Sequence, residues 1–173
     1  MAETETSARV RWSEVDGVGF VRAIGEGRAD PAPHAELLDY RIVDVRPGWV
    51  ALAWEVPDAL LNPAGIAHGG FLVALLDDAA GLAAASRYPR FVPQLTLELR
   101  SDFIAPVRPE VTHRVVGEVV RGGRSSTLAD ARVVDADGAV LARTSGTFLP
   151  NRQAIPEHRW AEAGIVPRTA GTG

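Results

Sequence analysis

Two adjacent aspartates, Asp77 and Asp78, interrupt the apolar stretch LLNPAGIAHGGFLVALLDDAAGLAAA, which covers residues 60–85. Burying an ionised carboxylate without a partner costs several kcal/mol, so an acid in such a run must be hydrogen-bonded, bathed by a cleft or kept for chemistry. The run reads as a helix from about His68 to Arg87. Gly70, Ala74, Asp77, Gly81 and Ala84 then recur at three- and four-residue steps and share one face. Asp77 is the only polar member of that small-residue stripe. Asp78 points about 100° away, which predicts that the two carboxylates do not serve one site. Close helix–sheet packing explains the glycines and alanines equally well, but it does not explain the acid.

The start of the same helix has a different chemistry. His68-Gly69-Gly70 places glycines where the first backbone N–H groups lack an internal partner and carry the positive end of the helix dipole. Open donors there suit an oxyanion or a polarised carbonyl. Asn62, six residues upstream in a proline-punctuated loop, has the ordinary reading of a turn residue. Gly69 and Asp77 are eight residues apart, or about 12 Å along a helix axis. If the acid serves as a base on water that attacks a carbonyl held at the helix start, one chain cannot bring the two ends together. A two-fold partner laying its helix antiparallel beside the first can. The spacing therefore predicts an obligate homodimer with two shared sites.

Around this helix the chain is strand-rich. A short amphipathic helix is expected within GVGFVRAIGEG, and RADPAPH reads as a proline-rich connector. ELLDYRIVDV and WVALAWEV form a hairpin around RPG, and PDALLNPAGIA is a loop. After the helix come PQLTLELRSDFI, THRVVGEVVR, STLADARVVDA and AVLARTSGTFL, joined by the turns APVRPE, GGR and DADG. LTLEL alternates cleanly, with Leu95, Leu97 and Leu99 on one face. Strands on short turns make an antiparallel sheet, and the one sizeable apolar element available to cover it is the 68–87 helix. The expected fold is α+β, a curved antiparallel sheet wrapped around one long central helix. Residues 1–15 read as a flexible N-terminus, 16–150 as the domain with its short N-terminal helix, and 151–173 as an irregular tail.

Composition narrows the functions. The chain has 173 residues and a net charge of -4, with no basic stripe for nucleic acid or a membrane surface. It has no cysteine, and all 18 of its basic residues are arginine, which removes thiolate and lysine Schiff-base chemistry. The N-terminal residues are polar and mixed in charge, unlike a signal peptide, so a cytoplasmic protein is expected. No residues show metal-ligand spacing, and no metal is expected. His34, His113 and His158 receive no role.

NPAGIAHGGFLVALLD resembles the signature of the PaaI-like acyl-CoA thioesterases of the hotdog superfamily: Asn, a Gly-containing loop, His-Gly-Gly, and Asp nine positions after the His. ELLDYRIVDVRPGWVALAWEV, LTLELRSDFIAPV and GTFLP are similar to the family's opening hairpin, next strand and closing strand. One departure is Leu38-Asp39, where many relatives have Leu-Gly. The resemblance implies a hotdog fold and hydrolysis of acyl-CoA thioesters, with coenzyme A as part of the substrate and no separate cofactor. It implies that the Gly69 N–H polarises the carbonyl with help from Asn62, and that His68 helps hold the loop and the leaving thiolate. Asp77 is then general base or nucleophile, and Thr96 orients water unless it is an ordinary strand residue. For binding, the open helix start adds Gly70. Coenzyme A phosphates need cationic or N–H-rich partners, which RGGRSS offers through Arg121, Gly123, Arg124, Ser125 and Ser126 unless it is an exposed hairpin. A homodimer or homotetramer is implied. A non-catalytic acyl-CoA-binding module and a hotdog hydratase or dehydratase are the competing functions, and the acyl group is left open.

Overall fold

A computed structural model describes residues 9–123 and 125–165. Helix α1 (Gly17–Gly25) and helix α2 (Pro33–Leu38) precede strands β1 (Arg41–Arg46) and β2 (Trp49–Trp54). The long helix α3 (Gly69–Ser86) follows, and then β3 (Gln94–Phe103), β4 (His113–Gly122), β5 (Thr127–Val134) and β6 (Val140–Pro150). The strands form one antiparallel sheet in the order β1-β2-β4-β5-β6-β3. This is the hotdog arrangement, with α3 lying along the concave face.

The sheet buries one flank of α3. Leu72, Leu75, Leu76, Ala79, Ala80 and Ala83 pack in one core with Leu52, Trp54, Val115, Ala131 and Phe148. Small residues let helix and sheet approach closely: a Cβ on Gly117 of β4 would lie 2.0 Å from the Ala79 carbonyl oxygen. Gly17 lets α1 approach in the same way, since a Cβ there would lie 2.1 Å from the Ala85 carbonyl. The far end of α3 is tied down by Ser86, whose hydroxyl accepts from the Gly48 N–H at 2.9 Å in the β1–β2 turn. By length and composition α3 would pass for a membrane span, but it is the core helix of this fold.

Two local expectations differ from the structure. Helix α2 starts at the end of the proline-rich connector and takes in the first residues of the expected strand, so β1 begins at Arg41 rather than near Glu36. Pro33 sits in the first turn of α2, where its missing N–H costs nothing. Asp39 ends that helix at φ 54, a left-handed conformation that ordinarily selects glycine. That is the physical content of Leu-Asp in place of Leu-Gly. The LTLEL alternation is also broken. A bulge between Thr96 and Glu98 turns Leu97 outward, and Leu99 packs against the core on the same side as Thr96. Beyond β6, Ile155, Ala163 and Ile165 form a second small core with Tyr88 and Val92.

Candidate active site

Asp77 lies midway along α3, on the flank the sheet leaves partly open. The β3 bulge aims Thr96 at it, and the Thr96 hydroxyl donates to Asp77 Oδ1 at 2.8 Å. Both line a cavity of about 300 Å³ together with His34, Asp78, Gly81, Leu82, Phe91 and Phe148. Burial pushes the Asp77 carboxyl above its ordinary value of 3.8. The Thr96 hydrogen bond works against that shift, the charge of Asp78 adds to it, and His34 opposes it. A carboxylate so placed holds a proton more readily than a solvated one, as a general base needs.

Asp78 does not stand apart, contrary to the expectation from helix geometry. It lines the same cavity, because α2 folds over this flank of α3 and supplies a wall. His34 Nε2 lies 2.7 Å from Asp78 Oδ1. Asp78 Oδ2 is buried and accepts no hydrogen bond of ordinary length. Burial raises the Asp78 carboxyl, and the hydrogen bond and charge of His34 lower it. Tyr40 faces it, and burial together with the Asp78 charge pushes the phenol far up, so it stays protonated. A second cavity of about 280 Å³, lined by Phe20, Ile24, Ile42 and Tyr40, adjoins the first and shares His34, Asp78, Leu82 and Phe91 with it. Sequence reading missed His34, Tyr40 and Phe91. Pro33 followed by His-Ala-Glu-Leu-Leu is the one local signal of the helix that carries His34.

The donor end of α3 is built differently. His68 is the N-cap, and its Nδ1 accepts from the Gly70 N–H at 3.1 Å. That bond commits the Gly70 donor to the fold. Among the described residues no backbone oxygen accepts from the Gly69 N–H, so it is the open donor of the pair. A Cβ on Gly69 would lie 3.3 Å from the Phe103 ring, which makes this a tight position. Asn62 organises the preceding loop: its Oδ1 accepts from the Ala64 N–H at 2.9 Å, and its backbone N–H donates to the Ile66 carbonyl at 2.8 Å.

The structure thus joins Asp77 to Thr96, and groups Asn62, His68, Gly69 and Gly70 at the start of the helix. These two groups lie at separate points along one rod. The described residues of RGGRSS stand at neither. Gly122 abuts the Arg87 guanidinium at the C-terminal end of α3, and the Gly123 N–H closes the turn onto the Ser126 carbonyl at 2.8 Å. Arg121 is exposed, Ser125 lines a groove with Leu95 and Pro150, and Arg124 lies outside the described residues. None of the described residues of the hairpin lines the Asp77 cavity. His113 is buried with Nε2 on the Arg108 carbonyl at 2.8 Å, a structural placement. Among the described residues no three His, Asp or Glu side chains converge as metal ligands would.

The family model described as the thioesterase superfamily matches residues 64–142, which takes in α3 and most of β3–β6. A Deinococcus radiodurans protein with an inferred esterase name is 32% identical over 138 residues, covering 76% of this chain and 90% of the relative. The chain belongs to the thioesterase superfamily. Among solved structures, the smu.793 protein of Streptococcus mutans, bound to acetyl CoA, aligns with TM-score 0.61 at 26% identity, over 65% of this chain and 89% of that one. The Escherichia coli PaaI protein of the phenylacetic acid degradation operon shares the fold. It aligns with TM-score 0.68 at 21% identity, over 78% of this chain and 92% of its own. Within this superfamily fold, Asp77 lies on the central helix and Gly69 at its start.

Proposed function

We propose that this thioesterase-superfamily protein hydrolyses acyl-CoA thioesters to the free acid and coenzyme A. The observation that carries the reading is a half-buried acid of raised proton affinity, held by Thr96 in a cavity, on the same helix as an uncommitted Gly69 N–H. The acetyl CoA bound to the Streptococcus mutans relative supports the ligand class. In the reaction, Asp77 takes a proton from water as the water oxygen bonds to the thioester carbonyl carbon. The Gly69 N–H of a partner chain stabilises the resulting oxyanion, with Asn62 and His68 fixing its loop. The C–S bond then breaks, and the proton on Asp77 passes to the departing thiolate. Arg121, Ser125 and Ser126 offer a phosphate contact at the hairpin.

A homodimer is part of this reading, because roughly 12 Å of helix separates Gly69 from Asp77. The open edge of the sheet supports it. Among the described residues strand β3 pairs only with β6, and it exposes Leu95 by 49%, Leu97 by 65% and Phe103 by 56%. An unpaired edge carrying apolar side chains is a ready surface for a second chain. The test is thiol release from a panel of aliphatic and aromatic acyl-CoAs by the parent and by Asp77→Asn. Turnover by the parent and its loss in the variant are expected. Tight acyl-CoA binding with no thiol release from any member would favour a binding module instead.

A further inference from the structure

Asp78 is the one acid in the cavity that the proposed reaction does not use. A carboxylate there serves poorly as a mere tether, since an asparagine would accept equally well from His34 and would bury no charge. The geometry suggests a different task. Helix α2, which lies outside the matched 64–142 region, brings His34 within 2.7 Å of Asp78, and the pair borders the cavity that contains Asp77 and Thr96.

We propose that His34 and Asp78 are positioning residues for Asp77: His34 fixes a second carboxylate at the wall of the cavity that Asp77 and Thr96 line, so that its charge faces the reacting acid. The inference rests on the reading of Asp77 as the catalytic acid–base group. Among the described residues the groups that face the pair are few. Asp77 comes from its own helix, Tyr40 from the residue before β1, and Asp30 lines the adjoining cavity. What α1, β3 and β6 contribute to the two cavities is Phe20, Ile24, Gln94, Thr96 and Phe148, none of which titrates near neutrality. The Tyr40 phenol stays protonated. A neighbouring negative charge favours the protonated form of a carboxyl, and a positive one disfavours it. The charges of Asp78 and His34 act on Asp77 in those two directions.

The experiment is the pH profile of kcat/KM, with whichever acyl-CoA of the panel turns over fastest, alongside melting temperatures. Asp78→Asn removes the repulsion, so the acid limb is expected to move to lower pH while the plateau kcat falls about threefold as the base weakens. His34→Gln keeps a donor for Asp78 and removes the positive charge, so the limb is expected to move to higher pH at parental stability. His34→Ala removes the partner of Asp78 Oδ1 and is expected to lower the melting temperature, which Gln restores. With Asp77→Asn inactive, a limb that stays in place or moves the other way in Asp78→Asn and His34→Gln overturns the positioning role alone. An Asp77→Asn variant with parental turnover overturns the catalytic reading beneath it.

Discussion

The two ends of the proposed chemistry sit on one helix and are built by opposite means. At the start of α3 every group is local: His68 caps Gly70, Asn62 folds its own loop, and Gly69 contributes only a backbone N–H. Eight residues further on, Asp77 depends on distant segments, with Thr96 from β3, His34 from α2 and Phe148 from β6 around it. A donor made of backbone needs only the right helix start. An acid of raised proton affinity needs a cavity, and a cavity needs the whole fold.

This contrast is broken most strongly at the acid. Asp77→Asn keeps size and removes proton acceptance, so kcat should fall by ~10²–10⁴ with little change in KM. The donor end should respond next. Pro at residue 69 removes the open N–H, yet suits the first helical position, and the extended backbone of His68 at φ -68 and ψ 132 tolerates a following proline. Gly69→Pro should therefore lose about 10²–10³ in kcat, the scale of one oxyanion donor, while circular dichroism shows an intact helix.

Thr96→Val sharpens the comparison from the sheet side. The lost hydrogen bond had favoured ionised Asp77, so the acid limb of the rate profile should move to higher pH, with kcat down about tenfold. An unmoved limb would reduce Thr96 to an ordinary strand residue. The smallest effect expected is on stability. The folded state raises the proton affinity of Asp77 above that of the unfolded chain. Its contribution therefore favours folding at low pH and is lost as pH rises through the raised value. Asp77→Asn removes this penalty, so its melting temperature should equal or exceed the parent's at neutral pH and lose that advantage as pH falls. A lower melting temperature at neutral pH would mark Asp77 as structural.

The same contrast explains what could be read from sequence. His-Gly-Gly and the apolar run mark α3 almost to the residue, because caps and helical spacing are local. The strands after it are equally legible from their turns. The surroundings of Asp77 and Asp78 are not. The 100° divergence of neighbouring helical residues is sound geometry, but α2 supplies a wall that takes in both acids, and nothing near Asp78 in the sequence announces it. Proline-rich RADPAPH masks the start of that helix, its remainder reads as the opening of a strand, and Asp39 ends it without the usual glycine. The bulge at Leu97, which aims Thr96 at Asp77, leaves no mark in a segment that alternates cleanly.

Subunit mixing tests most directly whether the two ends of α3 meet across chains. Gly69→Pro chains retain Asp77, and Asp77→Asn chains retain the Gly69 donor, each alone being inactive. After equal mixing and exchange, half of the dimers are mixed and each holds one intact site, so about a quarter of parental turnover should return. Well-folded mixed dimers that remain inactive would contradict the shared site.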